Sequence, residues 1–185
     1  SDAERLLREL ERLVEENRRR NKKVLDDNER LVEKLEKSNR RALEELKELV
    51  DRLEDIARRI KDKDTLREIL KRIEDELEKL LRRLEEENKE VRRESEELSK
   101  RLDDINRRSL EELDRIVKDL ERREGGERVR EELERLLEEA KRDSDEVRER
   151  SKKSNKKLED VSRKSKKDLR DLLKKARDIL KETER

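Results

Sequence analysis

The chain has 185 residues, 61% charged and 28% hydrophobic, with no aromatic residue and no Cys, Met, Pro or His. Its 57 Lys and Arg stand against 56 Asp and Glu, so a net charge of +1 leaves no single-sign field to gather nucleic acid or anionic lipid. Disulfide chemistry and thiol or imidazole catalysis are excluded, and no apolar run approaches the ~18 residues of a membrane span or the h-region of a signal peptide.

High charge with few apolar residues would indicate disorder were the apolar positions irregular, but here they recur at helical spacing. Ser1 with Glu4 forms a capping box. From there a stripe runs Ala3, Leu7, Leu10, Val14, Asn17, Asn21, Val24, Asn28, Leu31, Leu35, Ser38, Ala42, Leu46, Leu49, Leu53, Ile56, Ile60. Its mean period of about 3.6 is that of an uncoiled helix. A second column slides from Leu6 and Leu13 to Leu46, Leu53 and Ile60.

Lys61 to Asp64 interrupts the pattern, and Asp64 or Thr65 can cap a second helix, Thr65 with Glu68 as a second capping box. The next stripe is Leu66, Ile69, Ile73, Leu77, Leu80, Leu84, Asn88, Val91, Ser95, Leu98, Leu102, Ile105, Ser109, Leu113, Ile116, Leu120, flanked by Ser99 and Asn106. Gly125 and Gly126, the only glycines, come after it; one can take the left-handed position past a helix end and the other can relax the turn. The last stripe is Val129, Leu133, Leu136, Ala140, Ser144, Val147, Ser151, Ser154, Leu158, Val161, Ser165, Leu169, Leu172, Ala176, Ile179, Leu180.

Loops this short force antiparallel neighbours. The three stripes predict an all-α chain: an up-down-up antiparallel three-helix bundle of long, nearly straight helices, about 2–61, 65–123 and 127–183, in a single domain over 1–185.

Equal rise per residue then sets a register good to about one turn. It places Asn21 near Asn106 and Ser144, and Asn28 near Ser99 and Ser151, with Ser95, Ser154 and Asn155 just above. Ser38 and Asn39 fall near Asn88, Ser162 and Ser165, and Asn17 near Ser109. Layers of Leu, Ile and Val remain at both ends. An unpartnered buried amide costs ~1–3 kcal/mol against a whole-domain stability of ~5–15 kcal/mol, so these polar groups must mostly satisfy one another or meet water. The candidates for a buried polar network are Asn17, Asn21, Asn28, Ser38, Asn88, Ser95, Ser99, Asn106, Ser109, Ser144, Ser151, Asn155, Ser162 and Ser165. Asn21, Asn28, Asn88, Asn106, Ser144, Ser151 and Ser162 are expected to be buried. Asn39, Ser109 and Ser154 fit the rim of the stripe as well as its centre.

Catalysis is not expected. Serines next to lysines, such as Ser151–Lys152 and Ser165–Lys166, point in different directions on a helix, and the many carboxylates lie on outer faces with no metal or cofactor pattern. The densest basic run, Lys152, Lys153, Lys156, Lys157, Arg163, Lys164, Lys166 and Lys167, could contact phosphates. Its more economical role is to complement Glu85, Glu86, Glu87, Glu90, Glu94, Glu96 and Glu97 at the same height on the second helix. Nucleic acid is not an expected partner, since no aromatic is present to stack a base.

The aromatic-free composition, idealised caps, equal helices and polar layers between Leu/Ile layers resemble the de novo designed helical bundles with buried hydrogen-bond networks. The resemblance spans the whole chain and is architectural, without a sequence motif. It implies a soluble scaffold with no natural substrate, cofactor or native compartment, and no required partner. It further implies networks of Asn21, Asn106 and Ser144, of Asn28, Ser99 and Ser151, and of Asn88 and Ser162. The alternative is an interaction module, in which the polar seam of the third helix accepts a partner helix or another copy of the chain.

Overall fold

The helical spacing resolves into α1 (Asp2–Arg59, 58 residues), α2 (Lys63–Arg122, 60 residues) and α3 (Arg130–Glu184, 55 residues). They are seen in a computed structural model that describes residues 2–123 and 125–184, the side chain of Glu184 excepted. The expected capping box at Ser1 lies outside the described residues.

α2 starts two residues before the expected position, and its cap is Asp62 rather than Asp64 or Thr65. The Asp62 carbonyl accepts the first helical bond from Leu66 N at 3.0 Å, and Thr65 Oγ1 donates back to Asp62 Oδ2 at 2.7 Å. Thr65 thus sits in the third helical position and ties down the cap instead of being one. At the other end Gly125 has φ +85°, the left-handed geometry that lets the chain leave α2. Gly126 is needed for space: a Cβ there would lie 2.5 Å from the Leu120 carbonyl oxygen. The chain then turns through Gly126 N to Arg123 O and Arg128 N to Gly125 O, both 3.2 Å. α3 therefore begins at Arg130, not at 127, with the apolar Val129 carbonyl accepting from Leu133 N at 2.9 Å.

The chain forms two compact units, each drawing on all three helices. The first is Ser1–Arg30 with Glu94–Asn155. Its apolar core joins Ala3, Leu7, Leu10 and Val14 of α1 to Leu113, Ile116 and Leu120 of α2, and to Val129, Leu133, Leu136 and Ala140. A smaller cluster of Val24, Leu25, Leu102 and Val147 lies beyond it. Polar contacts fix the helix directions. Asp2 meets Arg123, Asn21 meets Asn106 and Asn28 meets Ser95, so α1 and α2 run antiparallel. Arg18 meets Glu139 and Asp143 while Glu29 meets Arg150, so α1 and α3 run parallel.

The second unit is Leu31–Arg93 with Lys156–Arg185. Its main core gathers Leu46, Val50, Leu53, Leu66, Leu70, Ile73, Leu77, Leu84, Leu169 and Ala176, and a satellite holds Val32, Leu35, Val91 and Leu158. Each fully buried Leu in such a core contributes about 1.5–3 kcal/mol. Leu25 in the first unit and Val32, Val50 and Leu70 in the second are buried although the apolar stripes pass beside them. A helix touching two neighbours buries more than one column, so positions beside a single stripe are buried as well. No described helix is long and apolar enough to cross a membrane. The up-down-up three-helix bundle is the fold.

Candidate functional site

The polar positions of the stripes gather in layers between the apolar clusters. In the first unit Asn21, 1% exposed, donates through Nδ2 to Asn106 Oδ1 at 3.1 Å. Asn28, 4% exposed, accepts from Ser95 Oγ at 2.7 Å. Ser95 Oγ also lies 3.3 Å from Asn155 Oδ1, and Asn155 Nδ2 donates to Ser99 Oγ at 3.3 Å. A hydroxyl has one proton, and the shorter contact to Asn28 takes it. This layer differs from the expected Asn28, Ser99 and Ser151. Ser95 replaces Ser99 as the partner of Asn28, and Asn155 replaces Ser151 as the α3 member, a shift of one helical turn.

In the second unit Asn39 and Asn88 exchange both amide bonds, Asn39 Nδ2 to Asn88 Oδ1 at 3.2 Å and Asn88 Nδ2 to Asn39 Oδ1 at 3.0 Å. Asn88 Nδ2 also donates to the Leu84 carbonyl of its own helix at 2.7 Å. Asn39 is 2% exposed and sits at the centre of the packed face, seven residues after Val32 and seven before Leu46. Ser38, at the height expected for a network with Asn88, donates instead to Glu87 Oε1 at 2.8 Å.

The remaining candidates are placed without such partners. Asn17 is half-buried, and its Oδ1, like that of Asn21, is sealed from solvent with no hydrogen bond among the described residues. Ser109 is half-buried and Ser154 buried. Ser144 and Ser151 line an α2–α3 groove of about 400 Å³ together with Asn106, so Ser144 shares the height of Asn106 without bonding to it. Ser162 and Ser165 are buried on the floor of a second α2–α3 groove, in the second unit. Of the seven residues expected to be buried, Asn88, Asn106, Ser144 and Ser151 are only half-buried. They lie where the α2–α3 seam opens to solvent, whereas Asn21, Asn28 and Asn39 of α1 are buried.

Sequence periodicity missed a charged layer. Arg18 Nη2 lies 2.7 Å from Glu139 Oε1, and Arg18 Nε hydrogen-bonds Asp143 Oδ2. Glu139 first, then Asp143, stabilises the guanidinium and raises its pKa above the ordinary arginine range, and the same bond lowers the Glu139 carboxyl. Position 18 precedes Leu25 by one heptad, the one signal that could have found it. These side chains are 39% and 45% exposed for Arg18 and Glu139, so the pair is screened and its stabilising contribution is small. The expected match between the α3 lysine run and the acidic run of α2 is not made: among the described residues no ion pair within 4.0 Å joins them. Among the described residues, the ion pairs between segments distant in sequence are Arg18 with Glu139 and Asp143, Arg150 with Glu29, and Arg123 with Asp2.

Among the described residues no group of three or more carboxylates could hold a metal ion. The arrangement offers hydrogen-bond pairing between helices and shallow polar grooves. A solved structure described as a computationally designed three helix bundle is similar to this chain with a TM-score of 0.51 at 18% identity, over 99% of this chain and 90% of the other. No protein-family model matches, and no curated protein matches.

Proposed function

We infer that the chain is a designed structural scaffold with no natural reaction, whose apolar clusters hold it folded and whose Asn and Ser layers select helix partners and register. The observation that carries this is the reciprocal Asn39–Asn88 amide pair, in which a nearly sealed amide of α1 finds a complete partner on α2. A one-residue slip would bury that amide against Leu or Val and leave it unpaired, at ~1–3 kcal/mol per group. Fold similarity to a designed bundle, with no family match, supports an engineered origin. The test is to replace Asn21, Asn28, Asn39, Asn88, Asn106 and Ser95 together by aliphatic residues. Thermal stability is expected to hold or rise while native mass and NMR line shape reveal several registers or oligomers. A single, sharply ordered species identical to the parent would overturn the assignment of specificity to the polar layers.

A second reading, an interaction module that accepts a helix along the α3 seam, draws support from Leu110, which is 53% exposed beside the groove holding Ser144 and Ser151. Light scattering separates the two. A mass of 22.7 kDa at all concentrations fits the scaffold, and a concentration-dependent multiple fits self-association.

A further inference from the structure

The basic run of α3 lacks its expected counter-charges, and part of it lines a groove in the second unit. We propose that this α2–α3 groove is a binding site for a small polyphosphate, a ligand carrying two or more clustered phosphate groups. The groove has a volume of about 440 Å³, within the ~300–1,000 Å³ of small-molecule sites. α2 lines it with Arg82, Lys89 and Arg92, and α3 faces them with Lys166 and Arg170. Glu85 and Glu86 are the carboxylates among its lining residues, so five cations face two anions. None of the five cations makes an ion pair within 4.0 Å among the described residues.

The floor supplies the uncharged donors. Ser162 and Ser165 are 4% and 5% exposed, and their hydroxyls, with no hydrogen-bond partner among the described residues, line the groove. Guanidinium and ammonium groups above hydroxyl donors form the set that clustered phosphate oxygens need, with charge-assisted bonds from the rim and neutral ones from below. Two grooves of the first unit each have a lining cation that is already paired. In one, Arg18 is held by Glu139 and Asp143, and in the other Arg107 pairs with Asp104. The absence of any aromatic, which denies a base its stacking platform, favours a compact polyphosphate over a nucleic acid.

The test is titration of the full chain with inorganic pyrophosphate and inositol hexakisphosphate at low ionic strength, by calorimetry and by amide NMR. Saturable binding with shifts centred on Ser162, Ser165 and Lys166 is expected. The double variant Lys166→Glu/Arg170→Glu removes two charge-assisted contacts and should weaken it by about tenfold or more. Lys22→Glu/Lys23→Glu, which changes net charge equally on exposed α1 positions, should leave the affinity within about twofold. Ser162→Ala/Ser165→Ala keeps every charge and should weaken binding with the helical circular dichroism unchanged. Equal losses in the two charge-reversed proteins, or shifts spread along all three helices, would reduce the effect to general electrostatics and overturn the site. Absence of saturable binding overturns it too, as does tighter binding of duplex DNA or anionic vesicles with the same Lys166 dependence.

Discussion

Replacing Asn88 by Leu strands Asn39. Both amide bonds of Asn39 go to Asn88, and at 2% exposure no water can take their place. Each buried group left unpaired costs ~1–3 kcal/mol, and the added aliphatic surface returns about 1 kcal/mol, so Asn88→Leu should destabilise by roughly 2–4 kcal/mol. The reverse change is milder. Asn39→Leu leaves Asn88 half-buried, reachable by water and still donating to the Leu84 carbonyl, so its cost should be about 1 kcal/mol. The double replacement removes both amides and should be close to neutral or stabilising, which makes the coupling energy about 3–5 kcal/mol in magnitude. Guanidinium unfolding of the four proteins, followed by the helical circular dichroism signal, measures all three quantities. Equal costs for the two single changes, or a coupling below about 0.5 kcal/mol, would refute the inference that burial asymmetry sets the penalty.

Asn17→Leu removes an acceptor that is sealed and unpartnered, so it should stabilise by about 1 kcal/mol, a rise in Tm of roughly 2–4 °C by calorimetry. Gly126→Ala should destabilise more than Gly125→Ala. At Gly125 the cost is the left-handed backbone, about 1–2 kcal/mol, whereas at Gly126 the new Cβ drives into the Leu120 carbonyl and the turn must shift; thermal unfolding orders the pair. Arg18 lowers the Glu139 carboxyl, so its contribution is present above the ordinary glutamate range and lost as pH falls through the lowered value. Glu139→Gln should therefore flatten the fall of Tm with pH in that acidic window, and an unchanged profile would remove the pair from the acid response.

The three helices were legible because Leu, Ile and Val recur at the helical period over the whole chain, and the short breaks at 61–64 and 124–126 leave few topologies. The polar layers were legible in height but not in partner. Asn28 meets Ser95 rather than Ser99 because equal rise fixes register only to a turn, and side-chain reach decides within it. Asn39 fits the rim of the 3.6-residue stripe, yet it falls on the heptad spacing of Leu25, Val32, Leu46 and Leu53, all of them buried. The same spacing hid Arg18. Helix starts depend on single bonds, such as Thr65 to Asp62, that a capping pattern admits but does not select. The counter-charges of the α3 lysines could not be read from height alone, since long side chains at matched levels still fail to meet.

The two interhelical turns fall one to each unit. The second unit contains the Asp62 turn, with Leu53, Leu66 and Leu70 packed around it. The first contains the glycine turn, with Leu120, Val129 and Leu133. Loop-closure entropy makes these hairpins the least costly contacts to form, and local contacts form fastest. Each unit thus has its own starting point for folding, α1–α2 in one and α2–α3 in the other. The segment most distant in sequence completes each core: residues 169–180 of α3 beside the Asp62 turn, and residues 3–14 of α1 beside the glycines. α2, shared by both hairpins, is the helix on which the two assemblies must agree.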